Sequence, residues 1–137
     1  MATGRPDRTL IICEEPLGQI LDGRKSYEVR RRPTRMTGRR IALSVKGKNL
    51  IVGTCKLAAC LGPLTMKEVI KNAWRMGSTK SRVLEERKWW HRECAKHRVY
   101  AWVLRDVRRL RKPIAFRNPS GAVVWARLPF RITKRLR

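Results

Sequence analysis

The polar side chains best suited to catalysis or ligand binding lie in residues 23–30, which have the sequence GRKSYEVR. In an extended strand Ser26, Glu28 and Arg30 share one face, because successive side chains point to opposite faces. Lys25 stands at the turn before the strand, so alternation does not fix its direction. Glu28 is flanked by two cations, and its carboxylate could accept hydrogen bonds from a base edge or a ribose hydroxyl, or orient a lysine. The structural alternative is an ion pair that fixes the strand to the preceding loop.

Histidine and cysteine, the other residue types typical of catalytic and metal sites, are few. His91 and His97 fall at the end of a predicted helical segment, where a solvated surface position is the simpler interpretation. Cys55 and Cys60 have no second cysteine pair and no histidine nearby, so their spacing does not predict a zinc site. Four cysteines at irregular spacing also do not predict a disulfide framework. We therefore expect reduced thiols in a cytoplasmic protein, with no metal and no other cofactor.

Positive charge dominates the composition. The chain of 137 residues has 34 Lys and Arg against 10 Asp and Glu, which gives a formal net charge of +24 at pH 7. A small domain needs only a few net charges for solubility, so a polyanion that offsets the self-repulsion is the expected partner. Nucleic acid is the leading candidate, and an anionic membrane surface is the second. The alternative is a solvated basic surface without a partner.

The basic residues concentrate in two blocks that are distant in the chain. Residues 24–48 hold ten basic side chains and one acid, and residues 105–137 hold eleven and one acid. A barrel would place the last strand near the first ones, so the blocks are predicted to join into one positive face. Arginine suits phosphate binding, because its planar fork donates two parallel hydrogen bonds and stacks on bases. The candidate nucleic-acid-binding residues are Arg24, Arg30, Arg31, Arg32, Arg35, Arg39, Arg40, Arg108, Arg109 and Arg111, together with Tyr27 as a pocket aromatic.

Single-strand binding requires aromatic side chains on which bases can stack as well as basic residues that contact phosphates, and tryptophan can provide the aromatic face. Trp102 and Trp125 stand in alternating segments, where a core position is expected. Trp89 and Trp90 are adjacent on a predicted helix, so they cannot both face inward. We expect Trp89 at the surface.

The hydrophobic pattern predicts one domain of five or six strands with a two-helix insertion. Strands are predicted over residues 9–13, 26–31, 40–46, 50–61, 99–104 and 122–128. A short helix with Pro16 in its first turn ends at Gly23. A capping box of Thr65 and Glu68 begins the insertion, and the apolar residues at helical spacing after it are Val69, Ile70, Ala73 and Trp74. The second helix of the insertion is predicted over about residues 81–96. Strands that are mostly antiparallel and too short for a sandwich predict an α+β fold, a small closed or nearly closed barrel with helices at its ends.

The ends of the chain are predicted to contribute little to this domain. Residues 1–8 are polar and contain Gly4 and Pro6, so we expect disorder there, with the domain spanning residues 9–128. Residues 129–137 are predicted to be a frayed basic tail. No apolar run approaches the length that spans a bilayer, and the first eight residues lack the apolar stretch of a signal peptide.

Residues 23–30 resemble the signature of the ASCH domain family, Gly-x-Lys-x-x-Glu-x-Arg. The similarity continues in order through RRIAL at residues 39–43, VYAW at 99–102 and GAVVW at 121–125, so it covers about residues 9–128. The resemblance implies the PUA-like fold, a small β-barrel. It also implies binding of RNA or nucleotides in a cleft beside the motif. Some members of the family are ribonucleases, and others are amidohydrolases that act on N4-acetylcytidine.

The function expected from this resemblance is RNA binding in a basic cleft, with ribonuclease activity as an option. A metal-independent ribonuclease needs a proton acceptor for the 2′-hydroxyl and a cation for the charge that develops on phosphorus. Glu28 or Lys25 could be the acceptor, and Lys46 or Arg30 the cation. Ser26 offers a hydroxyl beside the lysine.

The alternative is an amidohydrolase of the N4-acetylcytidine type. That branch of the family has a threonine three residues after the motif lysine, and this chain has Glu28 there. A neutral nucleoside also gains little from a net charge of +24, whereas a polymer gains with each phosphate that it brings. A third hypothesis, binding to anionic surfaces without pocket chemistry, ranks last because no predicted helix has the bulky apolar face that membrane insertion needs.

Overall fold

The computed structural model describes residues 4–136, which form six strands, five α-helices and one 3-10 turn. The strands are β1 (Arg8–Ile12), β2 (Tyr27–Arg30), β3 (Arg39–Val45), β4 (Leu50–Leu61), β5 (Tyr100–Ala115) and β6 (Trp125–Arg127). The helices are α1 (Glu14–Leu21), α2 (Met66–Lys71), α3 (Lys80–Glu85), α4 (Arg87–Ala95) and α5 (Phe130–Thr133), with the 3-10 turn at Ala73–Met76. The predicted α+β class is confirmed.

The strands form one curled sheet in the order β2-β5-β4-β3-β1-β6, which makes a half-barrel. β1 and β3 are parallel, and the other four neighbouring pairs are antiparallel. The register between β4 and β5 shifts at three places, and such bulges bend a strand and increase its twist. The prediction of a small, mostly antiparallel barrel is confirmed, and β2 and β6 are its two edges.

The inner, concave face of the sheet holds the main hydrophobic core. Leu10 and Ile12 of β1 pack there against Ile41 and Leu43 of β3, and all four are buried. Helix α1 closes one end of the half-barrel with Leu17 and Ile20, which are also buried. The alternation of apolar residues along β1 and β3 therefore fixes which side of each strand faces inward.

Part of the outer, convex face is covered by the C-terminal segment. Ile132 of α5 and Leu136 are buried against Ile11, Ala42 and Ile114 of the sheet. The prediction that residues 129–137 form a frayed tail is therefore wrong for their described part. Two apolar side chains among many basic ones were a weak signal, but they suffice to dock a short helix on an apolar patch of the sheet.

The N-terminal segment is also more ordered than predicted where the structure describes it. β1 begins at Arg8, and the carbonyl of Asp7 accepts a hydrogen bond of 2.9 Å from the amide of Leu128. Residues 1–3 of the predicted disordered segment lie outside the described residues.

The helical insertion packs on the outer face of the sheet beside β2 and β5. Thr65 and Glu68 form the predicted capping box at the start of α2. The helix predicted from residue 81 to residue 96 is divided at Glu86 into α3 and α4. Trp74, which helical periodicity placed on the inner stripe, is 62% exposed, because the chain changes from α to 3-10 geometry at Ala73 and the 3.6-residue period no longer applies.

Two strand lengths differ from the pattern-based prediction. β5 runs for 16 residues instead of stopping at Leu104, and its second half is rich in exposed arginine. Hydrophobic alternation cannot detect such a strand, since its charged side chains face solvent and its pairing with β4 supplies the hydrogen bonds. The last strand is shorter than predicted, with only Trp125–Arg127 paired to β1. No helix among residues 4–136 is long and apolar enough to cross a membrane.

Candidate functional site

A largely buried cluster of three charged side chains lies along β2 and the turn before it. Glu28 pairs in register with Trp102 of β5 and Arg30 with Tyr100, so both charged residues share the inner face, as strand alternation predicts. Glu28 Oε1 lies 3.4 Å from Lys25 Nζ, and Glu28 Oε2 accepts a hydrogen bond of 2.9 Å from Arg30 Nε. The side chains of Lys25 and Glu28 are each 9% exposed. Both carboxylate oxygens are therefore engaged by cations.

Lys25 and Arg30 connect this cluster to other parts of the chain. The Lys25 ammonium donates a hydrogen bond of 3.2 Å to the carbonyl of Met76, at the end of the 3-10 turn. The Arg30 guanidinium donates one of 3.1 Å to the carbonyl of Ile11 on β1 and lies 5.6 Å from the centre of the Trp102 ring. The ion pair thus joins the motif to the helical insertion and to the far side of the half-barrel.

Two tryptophans stand beside Arg30. Trp102 of β5 and Trp125 of β6 are stacked, with ring centres 5.8 Å apart and an angle of 14° between the planes. The indole nitrogen of Trp102 donates a hydrogen bond of 2.9 Å to the carbonyl of Arg32. This bond fixes the loop that follows β2 against the tryptophan pair.

A cavity of about 450 Å³ opens at this place, and we call it the cleft. Its volume falls within the range of ligand pockets in proteins, roughly 300–1,000 Å³. The walls combine the partly exposed ring of Trp125, which is stacked on buried Trp102, with three consecutive arginines, a combination that can stack a planar base and contact a phosphate. The lining residues are Arg30, Arg31, Arg32, Pro33, Trp102, Val124 and Trp125.

The two basic blocks of the sequence meet through two aspartates. Asp22 accepts hydrogen bonds of 3.0 Å from both Arg24 and Arg109. On a different part of the surface, Asp106 accepts one of 2.9 Å from Arg40 and one of 3.0 Å from Arg108. Each aspartate therefore links one arginine of residues 24–48 with one of residues 105–137.

The prediction of one positive face is nevertheless wrong. Arg40 alternates with Ile41, whose side chain is in the inner core together with Trp102. Arg40 and its neighbour Arg108 consequently lie on the outer face of the sheet, opposite the cleft. The strand period of two distributes consecutive basic residues over both faces, which net charge alone cannot reveal.

The remaining predicted arginines are dispersed around the domain. Arg31 lies 3.4 Å from the buried carboxylate of Glu93 on α4, and Arg39 donates a hydrogen bond of 2.7 Å to Asp7. Arg32, Arg35 and Arg111 are exposed, and none of them forms an ion pair within the described part of the chain.

The other catalytic candidates do not join the charged cluster. Lys46 is exposed in the turn between β3 and β4, and within residues 4–136 its ammonium forms no bond to Glu28. Ser26 lines a second cavity together with Tyr27, which faces the helical insertion and not the cleft. His91 and His97 are exposed, as predicted. No group of three His, Cys, Asp or Glu side chains in residues 4–136 could hold a metal ion.

The burial of the tryptophans agrees with the prediction from the sequence at every position but one. Trp102 and Trp90 are buried, Trp125 is partly buried, and Trp89 is exposed. Trp74 is the exception, and its surface position beside Arg75 went unrecognised. No local signal marks this position, because the orientation of Trp74 depends on where the 3-10 turn begins.

Burial and charge also shift two pKa values on β3 and β4. Partial burial, and then repulsion from Arg108, lower the pKa of Arg40, while Asp106 acts in the opposite direction. Burial raises the pKa of the Cys55 thiol from 9.0 to about 12. Cys55 is therefore a neutral core residue at physiological pH.

Comparison with known proteins places these features in a family. The model of the ASCH domain matches residues 10–114. No curated protein matches the chain. Nine chains of solved structures match, and they include three structures of an ASCH protein from Zymomonas mobilis.

These three structures are similar over nearly the whole chain. The ASCH structure without a named substitution has a TM-score of 0.67 at 18% identity, covering 93% of this chain and 91% of that one. A variant with alanine in place of a serine has a TM-score of 0.66 at 20% identity, covering 95% of both chains. A variant with phenylalanine in place of a tyrosine has a TM-score of 0.65 at 18% identity, covering 98% of this chain and 96% of that one. At these identities the likeness shows the fold.

Proposed function

This chain belongs to the ASCH domain family, and we propose that it binds single-stranded RNA in the cleft beside residues 23–30. The observation that carries the proposal is the composition of the cleft, where the Trp102–Trp125 pair lies against three consecutive arginines. A base stacked on an indole and a phosphate held by a guanidinium are the two contacts on which single-strand binding relies.

The charge of the chain favours a polymer over a nucleoside. A net charge of +24 attracts each phosphate of an RNA strand, and releasing the counterions of the strand adds to the affinity. An uncharged nucleoside would receive none of this gain. Single strands are the expected form, because their bases are free to stack on aromatic side chains.

The Lys25–Glu28–Arg30 cluster supports a positioning role in this binding. Both oxygens of Glu28 are engaged, so the carboxylate holds Arg30 at the wall of the cleft beside Trp102. A proton acceptor for a 2′-hydroxyl would need a free oxygen or a free amine near the substrate. Because Glu28 and Lys25 contact each other and are buried, we propose binding as the activity and make cleavage an outcome of the test.

The test measures the binding of a labelled RNA of 12 nucleotides by fluorescence anisotropy. The double variant Arg31→Ala/Arg32→Ala removes two charges from the cleft, and Arg82→Ala/Lys88→Ala removes two exposed charges from α3 and α4 as a matched control. We expect the cleft variant to lose at least ten times more affinity than the control. Equal losses would show that charge alone governs binding and would contradict the proposal.

A parallel assay separates binding from catalysis. The wild type and Lys25→Ala are incubated with labelled RNA and with N4-acetylcytidine. Intact RNA with both proteins supports binding only, whereas cleavage that Lys25→Ala abolishes identifies a ribonuclease. Release of acetate by the wild type would instead identify the amidohydrolase. Equal activity of both proteins would point to a contaminant or to a different site.

A further inference from the structure

We infer that a second surface, on the outer side of β2, stacks a further base of the same single strand; this inference rests on the proposed function. We call this surface the outer platform. It comprises Tyr27, Trp74, Arg75, Arg105 and Lys56.

Trp74 is the main feature of the outer platform. It is 62% exposed, more than any other tryptophan in the described residues. The Arg75 guanidinium lies 4.5 Å from the centre of the Trp74 ring and 5.7 Å from the centre of the Tyr27 ring. Arg75 therefore lies against one face of the indole, and the exposed remainder of the ring is open to a planar ligand.

A cavity of about 370 Å³ lies beside this ring. Ser26, Tyr27 and Arg105 line it together with Trp74, Arg75, Val103 and Leu104. Two arginines, two aromatic residues and a serine thus line one recess. This set of groups suits a nucleotide, whose base stacks while its phosphate meets a guanidinium.

The outer platform is separate from the cleft but adjacent to it. Tyr27 and Glu28 are consecutive on β2, so their side chains lie on opposite faces of the strand. Within residues 4–136, β2 is an edge strand that pairs only with β5. An RNA strand that crosses the free edge of β2 would therefore meet the cleft on one side and the outer platform on the other.

Two unpaired cations extend the outer platform across the sheet. Arg105 pairs in register with Lys56 of β4, and side chains of such cross-strand pairs are neighbours. Both residues are exposed, and neither forms an ion pair within residues 4–136. Their charges are available to phosphates, unlike that of Arg40, which Asp106 partly offsets. These two cations beside the aromatic rings favour a nucleic acid strand as the ligand, because such a strand carries a phosphate beside every base.

The experiment compares a 12-nucleotide RNA with a 4-nucleotide RNA, both labelled, in the anisotropy assay. Trp74→Ala is expected to weaken binding of the longer RNA about 5- to 160-fold, the range for loss of one stacked base. It should leave the affinity for the shorter RNA within about twofold of the wild type. Trp74→Phe should recover part of the loss. Trp89→Ala, which removes another exposed tryptophan on α4, should change neither affinity.

The outcomes distinguish the outer platform from the cleft. A Trp74→Ala protein with wild-type affinity for the longer RNA, or one no weaker than Trp89→Ala, overturns the outer platform while leaving the cleft intact. If Trp74→Ala weakens binding but Arg31→Ala/Arg32→Ala behaves like its control, the cleft fails and the outer platform stands. Absence of RNA binding by the wild type overturns both.

Discussion

The guanidinium of Arg30 on β2 donates a hydrogen bond of 3.1 Å to the main-chain carbonyl of Ile11 on β1. β5, β4 and β3 separate these two strands in the sheet, so the side chain bridges the open side of the half-barrel. The same guanidinium is held by Glu28. The charged motif therefore forms a wall of the cleft and also connects strands that share no main-chain pairing.

Arg30→Lys tests this bridge. A lysine keeps the charge but lacks the planar fork, so it cannot contact Glu28, the Ile11 carbonyl and the Trp102 face together. We expect the free energy of unfolding to fall by about 1–2 kcal/mol, measured by urea denaturation. Arg24→Lys, at an exposed pair with Asp22, is the control and should change little. If Arg30→Lys were as stable as Arg24→Lys, the result would contradict the role of Arg30 in connecting β2 with β1.

Glu28→Ala tests the buried ion pair. The substitution leaves Lys25 nine-tenths buried without its anion, and breaking a buried pair in this way costs about 3 kcal/mol. The double variant Lys25→Met/Glu28→Leu should recover part of that loss, since it removes the buried charge of Lys25 together with that of Glu28 and preserves volume, while Arg30 still lacks its anion. Thermal and urea unfolding measure both effects. Additive losses in the double variant would argue against coupling between the two residues.

The salt dependence of RNA binding tests the electrostatic part of the proposal. If six phosphates are neutralised, the logarithm of affinity should fall against the logarithm of salt concentration with a slope of about −4. Lys56→Ala/Arg105→Ala should make the slope shallower by about 1.4, since two phosphate contacts are lost. An anisotropy titration from low to high salt measures the slope. A flat response in the wild type would exclude phosphate contacts as the main source of affinity.

Ile132→Ala tests the docking of the C-terminal segment. Ile132 packs on the outer face of the sheet and is 1% exposed, whereas Phe130, two residues earlier on α5, is 77% exposed. We expect Ile132→Ala to lower the free energy of unfolding by about 3 kcal/mol and Phe130→Ala to have a small effect. Similar values for the two variants would restore the interpretation of residues 129–137 as a frayed tail.

Cys55 should make stability fall at high pH. Its thiol ionises near pH 9 in the unfolded chain but only near pH 12 in the folded protein, so the unfolded state releases the proton first. The contribution of the protonated Cys55 thiol to the free energy of unfolding is complete below pH 9, and it declines as the pH rises from 9 to 12. The difference in stability between the wild type and Cys55→Ser should show this decline. In the folded protein at pH 8, iodoacetamide should modify exposed Cys13 long before Cys55, as mass spectrometry can record.

Local features of the fold were predictable because they depend on neighbouring residues. The capping box of Thr65 and Glu68, the inner face shared by Glu28 and Arg30, and the span of β4 follow from short-range patterns. The second half of β5 was not predictable, since its charged residues adopt a strand only because β4 is there to pair with them. The exposure of Trp74 depended likewise on where the 3-10 turn begins.

Three properties can be read from the amino-acid sequence: the net charge, the alternation that places Glu28 and Arg30 on one face of β2, and the motif that identifies the family. Those properties are carried by composition and by residues within a few positions of each other. The tertiary structure alone decided that Arg30 and Trp125 meet at one cleft and that Arg40 and Arg108 face away from it. It also decided that Ile132 packs against the apolar patch on the outer face of the sheet. These arrangements are stabilised by contacts between segments that are distant in the chain. Local sequence patterns do not reveal which distant segments come into contact.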